Sequence, residues 1–186
     1  MRKVSFLIFM RPEVTSTKSV YKGKIFDVSL DRIREGEVEY EREIVSHDGS
    51  AVIVPVFADK TVALVKQYRH AAGKYLWEIP AGSLEKDENP EEGARRELEE
   101  EVGAVAGKLE LLSEFYVSPG FLSEKMFLFL ATDLTETAQN LEVDELIEIE
   151  KFTFVRAFEM IRRNEIEDAK TIVGLILAGA KFGFNL

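Results

Sequence analysis

The sequence predicts an α/β protein in which a mixed sheet is covered on two faces by helices. Three observations carry this. Strand patterns crowd the middle of the chain, helical patterns sit among and after them, and the run AVIVPVFA is apolar enough to be buried on both faces. With 186 residues, the chain is long enough for one domain with a proper core, or a small core domain carrying an N-terminal extension.

Taken in order, Val20 to Ser46 alternates as VSLDRIR and VEYEREIVS around the turn REGE, which predicts a two-stranded β-hairpin. AVIVPVFA and TVALVKQYR follow as strands joined at Asp59-Lys60, and KYLWEIPAG is a short strand breaking at Pro80 and Gly82. Next comes a helix with unusually complete start chemistry. Asn89 is the N-cap, Pro90 the first helical residue, Glu92 a capping-box partner, and Gly103 the stop. KLELLSEFYVS and KMFLFLATDL are strands separated by PGFLSE, the acidic segment ETAQNLEVDELIE precedes the strand IEKFTFV, and helices at 157–163 and 169–182 close the chain.

Composition excludes several function classes. A net charge of -10 argues against a protein that grips nucleic-acid phosphates. The absence of cysteine excludes disulfides, thiolate nucleophiles and Cys-based zinc sites, and makes a reducing cytoplasm the expected compartment. The apolar run Val4 to Met10 is too short for a signal peptide and is followed by Arg11-Pro12 instead of a small-residue cleavage site. Thr171 to Ala180 is too short to span a membrane. Met10 is an alternative initiator.

The acidic helix poses an electrostatic problem. At helical spacing Arg95 can pair with Glu99 and Arg96 with Glu100, while Glu97 and Glu101 share a face without a local cation. Glu-rich helices are commonly plain solvated faces. Here, however, the carboxylates lie beside the Gly82 turn and a buried strand, where like charges are costly. A hard divalent cation neutralises such a cluster, since Mg²⁺ prefers carboxylate oxygen and accepts phosphate oxygens as remaining ligands.

Gly82, Glu88, Arg96, Glu97, Leu98, Glu100, Glu101 and Gly103 fall in register with a known signature, and only Ala104 is a soft match. The segment resembles the Nudix hydrolase box. That resemblance implies a Nudix-type α/β/α sandwich with a mixed sheet, preceded by an N-terminal β-hairpin region, and cleavage of a nucleoside diphosphate linked to another group. It also implies Mg²⁺, with Mn²⁺ as a substitute, held by Glu97, Glu100, Glu101 and the backbone carbonyl of Ala81. Arg96 is implied to orient the glutamates, and Glu88 to be structural.

Outside the box, YVSPGF with Pro119, QYRHAAGKYLWEIPAG and the N-terminal hairpin resemble the ADP-ribose pyrophosphatase group. This implies hydrolysis of ADP-ribose or a related ADP-sugar to AMP and ribose 5-phosphate, with GDP-mannose and NADH as alternative substrates. A non-catalytic nucleotide-sensing module is the alternative from another class. Arg69 is expected at the pyrophosphate or ribose, because its planar fork grips phosphate in two places. Arg42 and Phe26 are expected to flank the adenine, and Pro119 and Gly120 to contact substrate. In the acidic loop, Glu142 is favoured as general base and Glu145 as an auxiliary metal contact, with Asp144 open as well. His47 and His70 are expected to be structural or surface residues, and Trp77 and Phe121 to pack in the core, with pocket lining as the alternative for both. The expected division is 1–46 as N-terminal extension and hairpin and 47–186 as catalytic domain, with a homodimer formed through the N-terminal strands.

Overall fold

The computed structural model describes residues 11–141 and 145–186. These fall into two compact units, one of the residues up to His47 together with Val117–Glu124, the other of Asp48–Tyr116 and Lys125–Leu186.

The first unit is a three-stranded antiparallel sheet of β1 (Glu13–Lys22), β2 (Asp27–Glu35) and β3 (Val38–Ser46), in that order. The hairpin expected from VSLDRIR and VEYEREIVS is β2 and β3, joined at Gly36, whose φ of 63° suits a tight turn. Strand β1 was not foreseen. It is exposed along its whole length, so it lacks the apolar alternation that marks a half-buried strand, and its pairing with β2 is interrupted between Val14 and Ser16 and between Ser19 and Tyr21. The loop Val117–Glu124 lies along β3, where Val45 N–H donates to the Phe121 carbonyl (2.7 Å) and Ser123 N–H to the Val45 carbonyl (2.9 Å).

The second unit contains two sheets. One is antiparallel and ordered β10 (Ile147–Thr153), β5 (Thr61–Arg69), β6 (Lys74–Glu78). The other is mixed and ordered β7 (Ala81–Ser83), β4 (Ser50–Pro55), β9 (Lys125–Glu136), β8 (Ala104–Tyr116), with β4 and β9 parallel. Period-two geometry sends successive β4 side chains to opposite faces, and both faces are buried. Val52 and Val54 join Leu128, Leu130, Phe154, Phe158 and Leu175 in one core, under α2 (Phe154–Arg162) and α3 (Ala169–Lys181). Ala51 and Ile53 join Phe129, Ala131, Ala94 and Leu98 in the other, under α1 (Pro90–Glu97). This is the α/β/α arrangement. Gly174 lets α3 approach closely, since a Cβ there would lie 2.6 Å from Ile79 Cδ1.

Two boundaries differ from the expected ones. Helix α2 begins at Phe154, not Ala157, because Thr153 Oγ1 accepts the Arg156 N–H (3.2 Å) and the buried Phe154 is the first residue of the helix's core face. The strand-like composition of FTFV concealed that start. The acidic helix is α-helical only to Glu97 and continues as a π-helical turn over Leu98–Val102 before stopping at Gly103, φ 65°.

Candidate active site

The site is built between β7, α1 and the π turn. Asn89 Oδ1 accepts the Glu91 N–H (2.8 Å) and Pro90 opens the helix, as its sequence predicts. The preceding loop is closed by Glu88, whose Oε2 accepts the Glu85 N–H (2.8 Å). Arg96 then organises the cluster. Its Nε donates to Glu88 Oε1 (3.0 Å) and Nη2 to Glu88 Oε2 (3.1 Å), while Nη1 reaches Glu97 Oε1 (2.6 Å) and Glu100 Oε2 (3.1 Å). The two-toothed bond to Glu88 raises the Arg96 pKa above its ordinary value, and that bond in turn lowers the Glu88 carboxyl.

The expected pairing pattern is corrected in two places. Arg95 bonds Glu91 (2.9 Å), not Glu99, and also donates to the Ala106 carbonyl (3.0 Å). A glutamate one turn N-terminal to the arginine is the favoured helix orientation. Glu97 does have a cation, its own neighbour Arg96, because the guanidinium lies back across the loop toward Glu88 and passes the Glu97 carboxylate on the way.

Glu101 fits the expectation better. It is 3% exposed, and its Oε2 accepts the Ala81 N–H (3.2 Å). Burial first, and the Glu97 charge second, push its pKa up to about 8. Glu97 is also raised, by burial first, with Glu100 and Glu145 adding to the shift and Arg96 opposing it. Glu145, expected as an auxiliary contact, therefore acts electrostatically on both carboxylates. Gly82 faces this cluster so closely that a Cβ would stand 1.9 Å from Glu97 Oε1. Only glycine leaves room for the carboxylate.

The far end of the π turn is tied down by residues that sequence reasoning did not single out. Gln139 Nε2 donates to the Glu101 carbonyl (2.7 Å), Asn140 N–H to the Glu100 carbonyl (3.1 Å), and Thr137 N–H to the Gly103 carbonyl (2.6 Å). These bonds cap carbonyls that a terminating helix leaves unpaired.

Among the described residues no three acidic or imidazole side chains are gathered in ready metal-holding geometry. Arg96 spans Glu97 and Glu100, and Glu101 caps Ala81. The donor set still suits a hard cation: three carboxylates, two of them buried and raised, beside a glycine that leaves the Glu97 oxygens space. Their neutralisation by a divalent ion would remove the cost that burial and like charge impose.

Arg69, at the end of β5, donates Nε (2.8 Å) and Nη2 (2.7 Å) to the two oxygens of Glu78. Its charge also acts on Glu101. Glu78 is 1% exposed and bonds Lys170 as well, an ionic group that sequence reasoning missed. The available signal was a lone glutamate between Trp77 and Ile79, and a lone lysine opening the apolar run that becomes α3. Trp77 packs edge-on against Phe152 (5.2 Å) beside the core, and His70 edge-on against Tyr68 (5.0 Å).

Arg42, Phe26, Pro119 and Gly120 belong to the first unit. There the Arg42 guanidinium lies over the Tyr40 ring (4.3 Å), Phe26 is 43% exposed beside Tyr21 (5.9 Å), and Pro119 and Gly120 form the turn before Phe121, which is exposed on that turn and not packed in the core as expected. His47 N–H in the same unit donates to Ser123 Oγ (2.9 Å). Glu142 and Asp144 lie outside the described residues.

Comparison with known proteins agrees with this geometry. The NUDIX domain family model matches residues 47–173. The chain is 36% identical over 166 residues to an ADP-ribose pyrophosphatase of Bacillus subtilis (strain 168), covering 87% of this chain and 89% of that one. It is 34% identical to a methanol dehydrogenase activator of Bacillus methanolicus, covering 86% and 88%. It is also 34% identical to an ADP-ribose pyrophosphatase of Mycobacterium tuberculosis (strain ATCC 25618 / H37Rv), covering 90% and 83%. A solved structure of an ADP compounds hydrolase superposes with a TM-score of 0.83 over 94% of this chain and 96% of that one at 21% identity, a likeness of fold. The matched span contains the whole carboxylate cluster, and the chain belongs to the Nudix family of pyrophosphatases.

Proposed function

We propose that this Nudix enzyme hydrolyses the diphosphate bond of ADP-ribose or a related ADP-sugar, giving AMP and ribose 5-phosphate. The observation that carries the reading is the buried carboxylate pair Glu97 and Glu101, both with raised pKa, Glu97 against Gly82 and Glu101 on the Ala81 N–H near the Arg69 charge. Two ADP-ribose pyrophosphatases among the relatives support the substrate class.

In this reading Glu97, Glu100, Glu101 and the Ala81 carbonyl hold Mg²⁺ or Mn²⁺, with Glu145 as auxiliary contact. The bound cation supplies charge neutralisation for the diphosphate and acidity for water. Arg96 keeps the glutamates in place by bonding Glu88, Glu97 and Glu100 at once. Arg69 grips the diphosphate through the edge that Glu78 does not use. Glu142 takes the proton from the attacking water. Arg42 and Phe26 bracket the adenine, with Pro119 and Gly120 lining the substrate. The N-terminal strands pair two chains into a homodimer, and the cysteine-free composition suits the cytoplasm.

Product analysis with ADP-ribose, ADP-glucose, GDP-mannose and NADH in Mg²⁺, with a chelator control, tests this. Preferred, chelator-sensitive release of AMP from ADP-ribose is expected. Preference for GDP-mannose or NADH would redirect the substrate assignment, and absence of any turnover would reject the catalytic reading.

A further inference from the structure

A buried ionic group lies outside the carboxylate cluster. Glu78 is 1% exposed and Lys170 8% exposed. Both oxygens of Glu78 are taken by Arg69, and Oε2 also accepts a bond from Lys170 Nζ. Lys170 Nζ further lies 3.1 Å from Asp168 Oδ2, the α3 N-cap, which accepts the Thr171 N–H (2.9 Å). Thr171 Oγ1 in turn accepts the Ile79 N–H (2.8 Å), so the first turn of α3 is fastened to the end of β6.

A guanidinium paired side-on with one carboxylate is close to neutral as a unit and a poor anion ligand. Glu78, however, is shared between two cations. Burial pushes its pKa up, and the Arg69 hydrogen bonds and Lys170 charge more than offset that, so it stays ionised. Arg69 spends only Nε and Nη2 on Glu78, and its side chain is 40% exposed. Among the described residues Nη1 has no partner, and it is the edge available to a ligand.

We propose that Lys170 is a positioning residue: by sharing the charge of Glu78 and Asp168 it leaves the Nη1 edge of Arg69 fixed and available for a substrate diphosphate. This rests on the reading of Arg69 as a diphosphate contact. Without the Lys170 charge, Arg69 becomes the sole counter-charge of a buried carboxylate and is drawn inward, so substrate binding weakens while the carboxylate cluster is untouched.

The test is steady-state kinetics with ADP-ribose on the full chain. Lys170→Gln is expected to raise KM about tenfold with kcat within about twofold, Lys170→Arg to restore KM, and Lys170→Gln to add nothing in an Arg69→Gln background. Thr171→Val, which loosens the same helix turn without removing charge, should lower Tm and leave KM alone. An unchanged KM in Arg69→Gln would sink the Arg69 reading and this proposal with it. A raised KM in Arg69→Gln alongside an unchanged one in Lys170→Gln overturns the proposal only, as does an equal rise in Thr171→Val. If Lys170→Gln does not fold, the double variant Glu78→Gln with Lys170→Gln removes both charges of the buried pair and is expected to keep KM within about threefold; a tenfold rise there rejects the charge-sharing account.

Discussion

At the scale of single residues, Glu101 has the clearest consequence. Its folded pKa of about 8 lies above its ordinary value of 4.5. Between those values the folded, cation-free chain binds a proton that the unfolded chain releases, so stability falls as pH rises through this window and levels off beyond it. Glu101→Gln cannot ionise. In chelator it should therefore be more stable than the parent at pH 9, the gap closing toward pH 4.5, as thermal melts across pH would record. Turnover in Mg²⁺ should fall about a thousandfold, ~4 kcal/mol of lost transition-state stabilisation. A variant that melts early in chelator yet turns over normally would contradict both halves. Glu97 makes a weaker probe, because its exchange also removes a 2.6 Å bond to Arg96.

At the scale of elements, the π turn Leu98–Val102 sets the join between the acidic helix and β8. Gly103 closes it in the left-handed region, and a Cβ there would meet Thr137 O and Gln139 N at 2.9 Å. Gly103→Ala should cost about 2 kcal/mol or more, from backbone strain and contact with a segment that cannot recede. A urea midpoint with unchanged slope measures this. Gly103 was legible as a stop because a left-handed cap favours glycine, and the Asn89-Pro90 start because its bonds are local. The π turn was not legible, since one extra residue per turn leaves the apolar pattern of a five-residue stretch nearly unchanged. Nor was Arg96 at Glu97 legible: adjacent residues on a helix do not face each other, and only the loop anchored by Glu88 brings the guanidinium back. The Glu78–Lys170 bond joins residues 92 apart and leaves no local pattern to read. Strand β1, exposed throughout, lacks the alternation that announced β2 and β3.

For the whole molecule, truncation examines the proposed division of labour between the N-terminal strands and the rest of the chain. Deleting residues 1–9 should leave activity and assembly unchanged. Deleting through Ser46 removes all three strands of the first unit and should yield a monomer without ADP-ribose hydrolysis, as sedimentation and product assay would register. A truncated monomer with full activity would refute the proposed part of the N-terminal strands in the site. No helix among the described residues is long and apolar enough to cross a membrane. The Arg96 guanidinium has one last implication. It carries a positive charge in among Glu88, Glu97 and Glu100. Three carboxylates are thereby drawn to one cation, so their mutual repulsion is met inside the polypeptide itself.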